Sequence, residues 1–110
     1  MANAYGLTES DMTHILGACR QFEEIATVVL FGSRAKGNYK QGSDVDLAVK
    51  GDRVTHRTVA HLADVLNEDL PLPYFFDIVH YNSLASQPLL EHIDRVGVVL
   101  YDRASELTAI

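Results

Sequence analysis

Gly32-Ser33 is followed, after ten residues, by Asp44-Val45-Asp46, and a further carboxylate, Asp77, stands between Phe76 and Ile78 in a stretch otherwise suited to a strand. Each residue type suits chemistry at a phosphate. Glycine has no Cβ, so an anion can approach its backbone closely, and N–H groups where a helical turn begins form a ready anion site. Ser33 adds a hydroxyl, and Arg34, Lys36 and Lys40 add positive charge nearby. Side chains two apart on a strand point the same way, with Cα atoms roughly 6.6 to 7 Å apart, so Asp44 and Asp46 can converge on one ion or ion pair. Two such carboxylates repel unless something positive lies between them, and Mg²⁺ characteristically takes one or two carboxylates together with substrate phosphates. Asp77 completes the set if its strand lies beside theirs. Phosphates on one side and carboxylates on the other describe a two-metal clamp for in-line displacement at phosphorus.

The elements that must position these residues follow from periodicity. Met12, Ile15, Leu16, Cys19 and Phe22 recur at helical spacing behind Thr8 and Asp11, which together resemble a capping box. Thr27 to Phe31 is a β-branched and aromatic run, the pattern of a strand buried on both faces, and it ends at Gly32. Ser33 is expected to cap a short helix or turn, and Gly37 to Gly42 reads as a loop. The next strand, from about Asp44, alternates: Asp44, Asp46 and Ala48 on one face, Val45, Leu47 and Val49 on the core face. A second amphipathic helix is predicted from about Thr55 to Asp69, stopped by Pro71 and Pro73, then a strand from Phe75 to Tyr81. A third helix is predicted from Ser86 or Gln87 to Arg95, with Pro88 in its first turn, then a short strand from Val96 to Asp102. From Arg103 onward the chain is weakly patterned. This order gives an α/β (α+β) fold, a small mixed β-sheet with helices packed on one side, in a single domain over residues 1–110.

Composition narrows the classes. With 47% hydrophobic and 22% charged residues the 110-residue chain has an ordinary globular balance. A domain of this size buries roughly two-thirds of its unfolded surface, enough for one core but not for a core and a separate lid. The net charge of −6 argues against direct DNA binding, yet it is unevenly spread. Arg34 to Arg57 holds six basic and three acidic residues, a local +3, and the remainder holds three basic and twelve acidic, a local −9. No apolar run approaches the ~18 residues needed to span a bilayer and no secretory signal is visible, so the expected location is the cytoplasm. The single cysteine, Cys19, falls on an apolar helical stripe and reads as a buried structural thiol. Gly32 to Gly37 imitates the start of a Walker A loop, but Asn38-Tyr39 stands where Lys-Ser/Thr is required. His56 and His61 are five apart, not at the spacing of a helical zinc pair, and His80 reads as a packed or satisfied side chain.

Phe31-Gly32-Ser33-Arg34-Ala35-Lys36-Gly37, followed by Gly42-Ser43-Asp44-Val45-Asp46-Leu47-Ala48-Val49, resembles the GS-x10-DxD signature of the DNA polymerase β-type nucleotidyltransferase superfamily, and within it the minimal nucleotidyltransferase (MNT) family. The likeness runs from the leading helix to Val98-Val99-Leu100-Tyr101, and Asp77 falls where the family carries its third carboxylate. The resemblance implies the nucleotidyltransferase fold, with Asp44 and Asp46 binding two Mg²⁺ ions. It implies Gly32 and Ser33 on the β and γ phosphates of ATP and Asp77 on the metal that activates an acceptor hydroxyl. Arg34 is expected to contact the nucleotide. The implied reaction is nucleotidyl, usually adenylyl, transfer with release of pyrophosphate. Many stand-alone members are similar to antitoxins that silence a HEPN-type ribonuclease toxin by adding AMP to a toxin tyrosine.

The leading expectation is therefore a Mg²⁺-dependent enzyme moving AMP from ATP to a tyrosine of a HEPN-type partner, which also completes the acceptor site. Two other readings stay open: a subunit of a two-component enzyme acting on a small-molecule hydroxyl, and a catalytically idle module that neutralises its partner by occlusion. A homodimer is a further expectation, since a small sheet leaves edges to cover.

Overall fold

In the computed structural model, which describes residues 3–108, four strands form one mixed sheet in the order β3-β2-β1-β4. The β-branched run makes β1 (Thr27–Phe31), an interior strand antiparallel both to β2 (Val45–Lys50) and to β4 (Val98–Asp102). β3 (Phe76–His80) lies parallel to β2 at one edge. Parallel neighbours need a crossover connection. It is supplied by α3 (His56–Asp64), which opens with a capping box between Thr55 and Thr58 and continues as a π-helical turn, Val65–Asp69, before the prolines.

That π turn also fixes where β3 starts. Asn67 brackets the Phe76 backbone, its Nδ2 donating to the Phe76 carbonyl at 3.1 Å and its Oδ1 accepting the Phe76 N–H at 2.8 Å. The side chain thus imitates a neighbouring strand on an outer edge, satisfying backbone groups that would otherwise stand unpaired.

Both faces of the sheet are covered. Val28 and Leu30 of β1, with Val45, Leu47 and Val49 of β2, pack with Ile15 and Cys19 of α1 (Glu9–Arg20) and Leu62 of α3. On the opposite face Val29, Phe31 and Ala48 pack with Ile93 of α4 (Gln87–Val96). The mixed-sheet α/β class is as expected, but the helices do not all lie on one side. β1, buried from Val28 to Phe31, requires this: a strand apolar on both faces needs a cover on each.

At the N-terminal side, Thr8 and Asp11 form the capping box, with reciprocal bonds of 3.0 and 2.9 Å. Asp11 also accepts a 2.5 Å hydrogen bond from the Tyr74 hydroxyl, which joins α1 to the approach of β3. A final helix, α5 (Arg103–Thr108), follows β4 directly, where the sequence offers little pattern. Arg20 of α1 meets its Glu106 at 2.7 Å. Among the described residues no helix is long and apolar enough to cross a membrane.

Candidate active site

β1 ends where Gly32 turns the chain into the short α2 (Gly32–Lys36) with φ of +74°, a left-handed conformation that disfavours other residues. A Cβ built on Gly32 would collide with Asp46 Oδ2, so the carboxylate lies directly against the glycine backbone. The register explains why. Phe31 pairs with Asp46 across β1 and β2, and Asp46 pairs with Asp77 across β2 and β3. Three strands thereby set the glycine turn, Asp46 and Asp77 in a row at one end of the sheet, on the α4 face. Asp44 immediately precedes β2, two residues before Asp46, and is exposed, as is Asp77; Asp46 is half-buried.

The electrostatics of the row are unbalanced. Burial, and then the neighbouring charges of Asp77 and Asp44, push the Asp46 carboxyl up from the ordinary value of 3.8 to about 6. Among the described residues none of the three aspartates takes part in an ion pair. Nor do three or more His, Cys, Asp or Glu side chains close around a common point as a ready metal cage. Mutually repelling carboxylates on an open shelf fit a cation that completes its shell with substrate phosphates.

The remaining expected residues fall in different places. Ser33 sits inside the first turn of α2 and is no cap: the helix begins one residue earlier, with Phe31 at the N-cap position and no side-chain capping bond. Its position beside Gly32 at the shelf is retained. Arg34, expected to contact the nucleotide, has its guanidinium engaged within the chain. It is 2% exposed, with Nε and Nη2 donating to the Ser43 carbonyl at 3.1 and 2.8 Å and Nη1 to the Tyr5 carbonyl at 2.9 Å. Its guanidinium also lies over the rings of Tyr39 and Tyr74. Arg34 is thus a strut tying α2 to the loop before β2 and to the N-terminal segment.

Other residues are also settled by their surroundings. Cys19 is buried and desolvation pushes its thiol up to about 12, which makes it inert. His80 is packed but not satisfied, both ring nitrogens lacking a hydrogen-bond partner while the ring meets His56 edge-on at 5.8 Å. One residue at the shelf escapes sequence reasoning altogether: His92 of α4, whose Nε2 accepts the Gly32 N–H at 3.2 Å. The only available signal was its place three residues after Leu89, at the border of the inward stripe of α4.

Comparison with known proteins gives this arrangement its family. The model described as polymerase beta, nucleotidyltransferase, matches residues 13–106. The chain belongs to the polymerase beta nucleotidyltransferase family. Among solved structures, a chain from a toxin–antitoxin crystal structure with AMP-PNP is 26% identical to this family member, with a TM-score of 0.70 over 88% of this chain and 79% of its own. Another, from the toxin–antitoxin MntA-HpeT carrying a Y104A mutation, is 27% identical, with a TM-score of 0.65 over 92% and 79%. At 24% identity, a structure of a tri-AMPylated Shewanella oneidensis HEPN toxin with its MNT antitoxin shares the fold, with a TM-score of 0.62 over 87% and 75%. No curated protein matches the chain by sequence.

Proposed function

We propose that this nucleotidyltransferase transfers AMP from ATP to a tyrosine hydroxyl of a HEPN-type toxin, and so acts as its antitoxin. The observation that carries the proposal is the row formed by the Gly32 turn, Asp46 and Asp77, with Asp44 at its margin. The toxin–antitoxin setting of the 26% and 27% identical structures, one of them with AMP-PNP, supports the nucleotide and the kind of partner.

In this reading the Gly32 turn and Ser33 take the β and γ phosphates, since a backbone without a Cβ lets an anion come close. Asp44 and Asp46 hold Mg²⁺, with Asp77 joining on the acceptor side. When bound there, the ions would supply positive charge against the α-phosphate and the departing pyrophosphate. The acceptor oxygen attacks the α-phosphorus, the bond from that phosphorus to the oxygen bridging to the β-phosphate breaks, and pyrophosphate leaves. In the same reading the Asp77 carboxylate, which is exposed, receives the hydroxyl proton. Arg34 contributes at a distance, holding α2 and the loop before β2 in place.

The exposed shelf leaves the acceptor side open, which suits a hydroxyl delivered on another protein. The test is mass spectrometry of a HEPN-type candidate partner after incubation with this chain, ATP and Mg²⁺. An added AMP that maps to a tyrosine is expected. An unmodified partner, with AMP found instead on a small molecule, would contradict the acceptor assignment.

A further inference from the structure

The Gly32 amide has a partner that neither the motif nor the family match assigns. Its N–H donates to Nε2 of His92 at 3.2 Å, so that nitrogen carries a lone pair and, in the neutral ring, the proton sits on Nδ1. The imidazole is held there from behind: its ring meets Phe31 edge-on at 6.1 Å, and the next residue of α4, Ile93, is buried in the core under β1. His92 itself is half-buried and faces the shelf.

We infer that His92 is a nucleotide-binding residue, contacting the triphosphate beside Gly32. The inference rests on the reading that Gly32 and Ser33 receive phosphate. A phosphate oxygen that accepts the Gly32 N–H must take the direction now occupied by Nε2, so the ring has to swing aside and remains next to the anion. Imidazole can then change from acceptor to donor without changing its shape. A ring that turns to present its Nδ1–H in place of the Nε2 lone pair offers the phosphate a donor. Such a donor would add to the Gly32 N–H and the Ser33 hydroxyl. Arg34, the cation adjoining the Gly-Ser pair, spends its guanidinium on the Ser43 and Tyr5 carbonyls, and Lys36 is exposed at the far end of α2. While the site awaits nucleotide, the same imidazole keeps the half-buried Gly32 amide satisfied.

The test is calorimetric binding of ATP with Mg²⁺ to the full chain and to two variants, followed by steady-state transfer kinetics. His92→Ala should weaken ATP binding by roughly 3- to 10-fold, the range for losing one hydrogen bond to an anion, and raise KM with little change in kcat. His92→Gln, whose amide both donates and accepts, should recover most of the affinity. Thermal unfolding of the variants separates lost contact from lost folding. ATP bound by His92→Ala as tightly as by the wild type, or more tightly, would overturn the inference while leaving the nucleotidyltransferase reading intact. A wild-type chain that binds no ATP would overturn both.

Discussion

Asp46 carries the chemical tension of the molecule. Its carboxyl is raised to about 6 by burial and by Asp77 and Asp44, against 3.8 when unfolded. A folded-state value above the unfolded one means that the folded chain holds the proton more tightly between these limits. The stability this contributes is full below about 3.8 and is lost as pH rises through about 6. Asp46→Asn, which is never charged, should therefore melt at a higher temperature than the wild type at pH 7.5 in the absence of metal. The gap should close as pH falls below 4, as followed by thermal unfolding. Gly32→Ala should do the opposite, destabilising the fold by ~1–3 kcal/mol through its φ of +74° and the collision with Asp46. The aspartates were legible in the sequence because strand alternation announces Asp44 and Asp46, and a charge between Phe76 and Ile78 is conspicuous. Asp77 is exposed, and what singles it out in the fold is its register opposite Asp46. The internal ties of Arg34 were not legible: a cation next to a Gly-Ser pair looks like a phosphate ligand, while the partners that hold it, Tyr5, Tyr39, Ser43 and Tyr74, are scattered through the chain.

Among the elements, α2 and the approach to β3 are fastened by polar ties rather than by apolar area. Arg34→Lys keeps the charge but loses the fork on the Ser43 carbonyl and leaves the Tyr5 carbonyl without its donor. A loss of about 2–4 kcal/mol in denaturant unfolding is expected, together with faster amide exchange in residues 37–43. The Asp11–Tyr74 tie gives a pH signature. Burial works against ionising Asp11, but the hydrogen bonds from Tyr74 and Thr8 outweigh it and hold its carboxyl below the ordinary value of 3.8. Its stabilisation is present above 3.8 and is lost as pH falls through that lower folded value. Tyr74→Phe should thus be less stable than the wild type at neutral pH, with the difference shrinking in acid below about pH 4, measured as melting temperature against pH. The strands and the three longer helices were readable from period and caps, including both Thr8 with Asp11 and Pro88 in the first turn of α4. α5 was not, because its residues show no apolar stripe and one visible tie is the exposed Arg20–Glu106 pair, worth little by itself.

At the scale of the whole molecule, both faces of the sheet are covered, yet the end bearing the aspartates is left as an open shelf rather than a closed cavity. Clefts do exist elsewhere; one of about 420 Å³ lies at the other end of the strands, bounded by Glu24, Arg53 and Asp102 among others. Openness at the shelf is what the proposed transfer to another protein requires, because the acceptor would arrive on its own surface. Charge follows the same division: a +3 segment spans the Gly-Ser turn to α3 and encloses two of the three carboxylates, whereas the rest of the chain is −9 and suited to a basic partner. The most direct measurement uses ATP labelled at the α-phosphate, ATP labelled at the γ-phosphate, Mg²⁺ and a HEPN-type candidate partner, with the wild type and Asp46→Asn compared. The α label should pass to the partner and the γ label should not, and Asp46→Asn should slow the transfer by about two orders of magnitude or more. Transfer of the γ label, or equal labelling by wild type and Asp46→Asn, would contradict nucleotidyl transfer at this shelf.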